Sequence, residues 1–181
     1  MFIDESGLLM APLVHRTWAL RDQTPHLHQR GRSHTKVSVT AALSIAPDRR
    51  RLQLLFRLHP DANLDGERVR SFLQQLRRQL VGPLVVVWDR LNAHRSQPIR
   101  ALLTQTTDLH LAFLPLYAPE LNPVEQVWGY LKGNPLANLA AADVEELADA
   151  ARHHGRSLQR RQRLLQSFLA HSPLPLRLRR T

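Results

Sequence analysis

Cysteine is absent from this 181-residue chain. Its absence excludes a disulfide scaffold, a zinc site built on thiolates and catalysis by a thiol. With no oxidative constraint in view, a reducing cytoplasm is the expected compartment. Long apolar runs are missing too: none approaches the roughly 18 residues of a membrane span. The opening Met1-Phe2-Ile3-Asp4-Glu5-Ser6-Gly7 lacks the basic-then-apolar order of a secretory leader. No internal repeat or low-complexity block interrupts the chain. Acids are scarce, 15 Asp plus Glu against 25 Lys plus Arg, for a net charge of +10. Such a balance favours polyanions, nucleic acid above all, and leaves open what is done to them. At 43% hydrophobic the chain is too apolar for a disordered basic tail. Its length suits one domain with a real core.

What is present is periodic. Val37, Val39, Ala41, Leu43 and Ile45 alternate with polar residues, as do Leu52, Leu54, Phe56 and Leu58. The turn-like Ala46-Pro47-Asp48-Arg49-Arg50 lies between them, so a β-hairpin is expected. Val69, Phe72, Leu73, Leu76 and Leu80 follow helical spacing until Gly82-Pro83 stops it. Leu84-Val85-Val86-Val87-Trp88 is a continuous apolar run, suited to a central strand covered on both faces. A helix from about Ser96 to Thr106 and a strand from Leu109 to Leu114 complete a right-handed parallel unit. Pro115 to Pro123 reads as loop and Val124 to Lys132 as helix. Two further helices are expected over about 143–153 and 156–170. The order gives a mixed sheet with helices, α/β or α+β.

Three acids stand at the ends of these elements. Asp89 closes the apolar strand, where ligands of open α/β sheets sit, though it also suits a cap for the turn Asp89-Arg90-Leu91-Asn92. Asp4 follows a short apolar lead, and its neighbour Glu5 faces the opposite way if the segment is extended. Glu125 fits a capping box, with Asn122 at the N-cap and Pro123 at the first helical position. It also sits on a first helical turn that would point toward Asp89. Three carboxylates suit two Mg²⁺ ions acting in phosphoryl transfer, since Mg²⁺ prefers hard oxygens and keeps several waters.

Four stretches then carry a resemblance. They are Phe2-Ile3-Asp4-Glu5-Ser6; Trp18-Ala19-Leu20-Arg21-Asp22-Gln23-Thr24-Pro25; Val87-Trp88-Asp89-Arg90-Leu91-Asn92-Ala93-His94-Arg95-Ser96; and the run from Leu114 to Lys132. The last contains Pro-x-Tyr-x-Pro-x-Leu-Asn-Pro-x-Glu-x-x-Trp, the most specific of the motifs. In this order they resemble the catalytic domain of bacterial insertion-sequence transposases of the mariner-like superfamily. The likeness runs from residue 2 to about 133, and the 35 residues between Asp89 and Glu125 agree with it.

The resemblance implies a ribonuclease-H-like fold: a mixed five-stranded sheet flanked by helices, with further C-terminal helices. It implies a catalytic domain over residues 1–172, and after it the prolines Pro173 and Pro175 suggest a basic flexible tail over 173–181. Asp4, Asp89 and Glu125 become the catalytic triad and the ligands of two Mg²⁺ ions, with Mn²⁺ able to substitute. The implied reaction is nicking at transposon ends and attack of the freed 3′-hydroxyl on target DNA. A homodimer in the active complex and a bacterial, nucleoid-associated location follow from the same likeness. Complete transposases of this kind carry a helix-turn-helix that reads the transposon ends, and three residues precede Asp4 here. The expectation is one half of a split transposase, joined to an upstream-frame DNA-binding half. The alternatives are an inactive, basic DNA-binding remnant and a ribonuclease-H-like nuclease without strand transfer.

His94 matches a histidine of that motif, to orient a phosphate, to support the Asp89 loop, or to make a structural hydrogen bond. His26, His28, His153 and His154 are read as surface or DNA-facing residues rather than a zinc site. Trp18, Trp88 and Trp128 are expected in the core. Tyr117, in a loop whose path Pro115, Pro119 and Pro123 restrict, is a candidate DNA contact, and Asn122 a candidate support. Arginines cluster at Arg49, Arg50 and Arg51, at Arg77 and Arg78, from Arg152 to Arg163, and at Arg177, Arg179 and Arg180. Of these, Arg49, Arg50, Arg51, Arg156, Arg160, Arg161 and Arg163 are the candidates for phosphate contact, with steep salt dependence as the consequence.

Overall fold

The computed structural model describes residues 1–11, 13–26, 35–176 and 178. The alternating segments form the expected hairpin, β2 (Lys36–Ile45) and β3 (Leu52–Pro60), paired antiparallel with Val39 opposite Leu58 and Ile45 opposite Leu52. The N-terminal acid-bearing segment is strand β1 (Phe2–Leu9), antiparallel to β2 on one side. On its other side β1 runs parallel to β4 (Leu84–Trp88), which in turn is parallel to β5 (Leu109–Phe113). The result is a mixed five-stranded sheet of order β3-β2-β1-β4-β5. Helices α1 (Gly66–Gln79) and α2 (Gln97–Thr104) make the connections to β4 and β5. Helices α3 (Val124–Gly133), α4 (Val144–Gln159) and α5 (Gln162–His171) follow the last strand.

Period two along the strands sorts their side chains between two cores. Phe2 and Leu8 of β1, with Val37, Val39, Ala41 and Leu43 of β2, pack under Val127, Trp128, Ala148, Ala151 and Leu165 of α3, α4 and α5. Ile3, Val86 and Trp88 lie on the opposite face, against Val69, Phe72 and Leu76 of α1 and Ile99 and Leu102 of α2. Asp4 therefore belongs to the α3 face of the sheet, and Glu5 to the α1–α2 face.

Four expectations need correction or qualification. β4 is not covered along both faces: Leu84, Val86 and Trp88 are buried, but Val85 is 52% exposed. The reason is that α3, α4 and α5 lie over β1, β2 and β3 and leave the start of β4 open. The break between the last two helices falls at 160–161 rather than near 155, because α4 continues through His153-His154-Gly155. Its apolar positions keep helical spacing there, and Gly155 makes room for the neighbouring strand. A Cβ at that position would stand 2.6 Å from Cζ of Phe56 on β3. Trp18 is not in the core; it is fully exposed, on a segment without regular structure. In the stretch expected to be a flexible tail, Leu174, Leu176 and Leu178 rest against the larger core, while Arg177, Arg179 and Arg180 lie outside the described residues.

Candidate active site

The parallel pairing of Phe2 with Val87 brings the two strand acids together. Two residues beyond each partner stand Asp4, the third residue of β1, and Asp89, the first residue past β4. The third acid is set by Asn122, which is buried. Its Nδ2 donates to the carbonyl of Ile3 at 3.1 Å, and its Oδ1 accepts from the Val124 N–H at 3.2 Å. One amide side chain thus ties the start of α3 to β1 beside Asp4. The backbone N–H of Asn122 is taken by the Pro119 carbonyl at 2.9 Å, so Glu125 does not complete a capping box through it. Its carboxylate faces the cavity instead. One turn on, Trp128 donates its indole N–H to Oδ2 of Asp4 at 2.6 Å.

Asp4, Asp89 and Glu125 line one cavity of about 450 Å³ with Arg90, Asn122 and the loop from Leu114 to Pro119. Burial pushes the Asp4 carboxyl up to about 7, and repulsion from Glu125, Glu5 and Asp89 adds to it against the Trp128 hydrogen bond. Burial also raises Glu125, with Asp89 reinforcing the shift and Lys132 opposing it. Asp89 goes the other way: burial would raise it, but hydrogen bonds from His94 and the Leu91 N–H hold it below the usual carboxylate range. Among the described residues, no ion pair involves Asp4 or Glu125.

This set of hard oxygens, mutually repelling and one of them buried, fits a divalent cation such as Mg²⁺. As the side chains stand, no three acidic or imidazole groups among the described residues are gathered closely enough to hold an ion between them. Asp4 is turned to Trp128, and Asp89 spends Oδ1 on Leu91 N–H at 3.0 Å and His94 Nδ1 at 2.9 Å. Neither bond uses Oδ2 of Asp89. Since Mg²⁺ is commonly held by one or two carboxylates with waters, three simultaneous ligands are not required.

A family model described as the DDE superfamily endonuclease matches residues 1–148. The chain belongs to the DDE superfamily endonucleases. No curated protein matches it. Among solved structures, the Mos1 mariner paired-end complex with Mn superposes with a TM-score of 0.68 at 14% identity, covering 95% of this chain and 52% of that one. The corresponding Mos1 complex with Mg gives a TM-score of 0.63 at 14% identity, covering 94% and 52%. The catalytic domain of Mos1 mariner transposase gives 0.56 at 12% identity, covering 94% and 81%. The chain therefore spans about half the length of the transposase chains in the paired-end complexes, and its fold is ribonuclease-H-like.

The other expected residues of this DDE domain divide between the site and remote surface. His94 is fully buried behind Asp89, its ring stacked on Trp88 at 4.1 Å, and does not line the cavity. Burial alone would lower its pKa, but bonds to Asp89 and Glu5 lift it to about 10. Tyr117 is 98% exposed on the cavity rim, in the left-handed region at φ 56°. Arg49, Arg50 and Arg51 occupy the hairpin turn that follows β2, the strand on which Ala41 pairs with Asp4, and none of them lines the cavity. Gln162, between Arg161 and Arg163, exchanges side-chain hydrogen bonds with the backbone of Leu52 just past that turn, while Arg161 donates to the Tyr130 hydroxyl at 2.8 Å. Arg156 and Arg160 line a separate surface cleft with Arg152, His153 and Asp149. Arg77 is paired with Asp108 at 2.8 Å. His28 falls outside the described residues, and His153 and His154 contact each other edge-on without a metal cluster among the described residues.

Three site residues escaped the sequence reading. Arg90 is a cation on the cavity wall, Trp128 is a hydrogen-bond donor as well as a core residue, and Glu5 binds His94. Only Trp128 left a signal, since three residues after Glu125 on a helix is the same face.

Proposed function

We propose that this chain is the catalytic domain of a transposase that cleaves DNA strands and joins the freed ends to target DNA. Membership of the endonuclease family and the paired-end and catalytic-domain likenesses support it. One observation carries it furthest: acids from three separate elements face one cavity, where Glu125 and Asp89 raise the proton affinity of Asp4, and Asp89 that of Glu125. Asp4, Asp89 and Glu125 would hold the divalent metal, two Mg²⁺ ions or Mn²⁺ in their place. A metal held by these carboxylates would supply activation of the attacking oxygen and charge stabilisation of the leaving one. The protein's own part is to fix the carboxylates: Trp128 orients Asp4, Leu91 N–H and His94 orient Asp89, and Asn122 seats the helix that carries Glu125. The rim around Tyr117 and Arg90 would receive the DNA strand. Arg49 to Arg51, with Arg156, Arg160, Arg161 and Arg163, would grip phosphates away from the cut bond.

The partners in this reading are transposon-end and target DNA, a second copy in the active complex, and a DNA-reading segment or upstream-frame half that supplies end recognition. It places the protein with the bacterial nucleoid. The test combines the chain and that recognising half with end DNA, a plasmid target and Mg²⁺. Wild type is expected to nick the ends and form joined products, while Asp89→Asn loses both. Equal nicking by the two proteins would sink the assignment, and cuts without joined products would leave a nuclease.

A further inference from the structure

We propose that Glu5 is a positioning residue for this metal-dependent cleavage, acting through His94 to set the carboxylate of Asp89. The inference rests on the catalytic reading above. It starts from a carboxylate in an unexpected place. Glu5 follows Asp4 on β1 and so faces the other side of the sheet, where its side chain is only 8% exposed. A carboxylate so enclosed is costly unless hydrogen-bonded. Both its oxygens address one atom, Nε2 of His94, at 3.1 and 3.0 Å. The other ring nitrogen, Nδ1, lies 2.9 Å from Oδ1 of Asp89 and 3.2 Å from its carbonyl oxygen. The ring lies flat on Trp88, with 4° between the planes.

The line from Glu5 to Asp89 therefore crosses from one strand to the loop after its neighbour. Both ring nitrogens meet acceptors, so neither a flip nor a tilt of the imidazole is free. With His94 and the Leu91 N–H both directed at Oδ1, the plane of the Asp89 carboxylate is set, and with it the direction of Oδ2. Outer partners of metal ligands act in this way. In a purely structural role Glu5 would support the fold alone. In a positioning role it also governs how well Asp89 meets a metal.

The experiment measures Mn²⁺ affinity from the electron paramagnetic resonance of the free ion, beside thermal melting and the steady-state constants for end-DNA cleavage. Glu5→Ala is expected to bind Mn²⁺ about tenfold to a hundredfold more weakly and to lose kcat, with KM for DNA unchanged. Glu5→Asp, which keeps the charge but stops short of His94, is expected to weaken in the same direction. Glu5→Gln retains an acceptor at the right reach and is expected to recover most of the affinity. In a His94→Ala background, adding Glu5→Ala is expected to cost less than about twofold more, as for residues acting in one line. Folded Glu5→Ala or Glu5→Asp protein with wild-type Mn²⁺ affinity and kcat, changed only in melting, would overturn the proposal. Asp89→Asn serves as the control. If it loses Mn²⁺ while the Glu5 variants do not, the Glu5 proposal alone fails; if it binds Mn²⁺ like wild type, the catalytic reading fails with it.

Discussion

Asp4→Asn is expected to melt at a higher temperature than wild type in EDTA at pH 8, and to cut DNA about a hundredfold to a thousandfold more slowly. The stability gain follows from the position of the carboxyl. Its pKa is raised from 3.8 to about 7 by burial and by Glu125. A carboxyl raised in the folded state contributes its full stability below the unfolded value, near pH 4, and loses it as pH rises through about 7. Above that, folding must keep a buried negative charge beside Glu125, Glu5 and Asp89. Asn has the same shape without the charge, and its Oδ1 still accepts the Trp128 N–H. The difference between the two proteins should be near zero at pH 3.5 and grow to the order of 4 kcal/mol by pH 8. Melting curves from pH 3.5 to 8 check this. A divalent cation should reverse the ranking, since it compensates the charge only in wild type. Identical pH profiles for the two proteins would mean that Asp4 does not carry the strain assigned to it.

Trp88→Ala should be the most destabilising single change in the core, at about 3–5 kcal/mol by urea denaturation. Trp88 is fully buried among the α1 and α2 residues and lies beneath His94. Its indole N–H finds no hydrogen-bond partner among the described residues, so the loss comes from volume and contact rather than from a broken bond. Trp88→Phe keeps a ring under the imidazole and should cost much less. Trp88→Ala should also weaken metal binding under conditions where it remains folded, because the platform under His94 is gone. A Trp88→Ala protein as stable as wild type would contradict the account of this core.

How far these features could be read in the residues depends on how local their causes are. Alternation over Val37 to Ile45 and Leu52 to Leu58 is a local pattern, and the hairpin follows it residue by residue. The opposed directions of Asp4 and Glu5 follow from the same period. What Glu5 meets was hidden, because His94 lies 89 residues away and reaches it only through the β1–β4 pairing. Asn122 shows both cases. Its bond to the Val124 N–H is a local capping signal, while its bond to Ile3 spans 119 residues. The observed α4–α5 boundary lies beyond the one the sequence suggests, because α4 runs on through Gly155, and only the close approach of Phe56, distant in sequence, makes glycine suitable there. Trp18 differs from its expectation in another way. A large aromatic suggests a core, and no periodic neighbours hold it there.

In the function proposed for this chain, Asp4, Asp89 and Glu125 hold a divalent metal in one cavity. Anomalous X-ray diffraction from crystals of this protein soaked in Mn²⁺ tests it most directly. The account predicts an anomalous peak within ligand distance of Asp89 Oδ2 and of Asp4 or Glu125. No peak in that cavity at saturating Mn²⁺, or one only on other side chains, would contradict it.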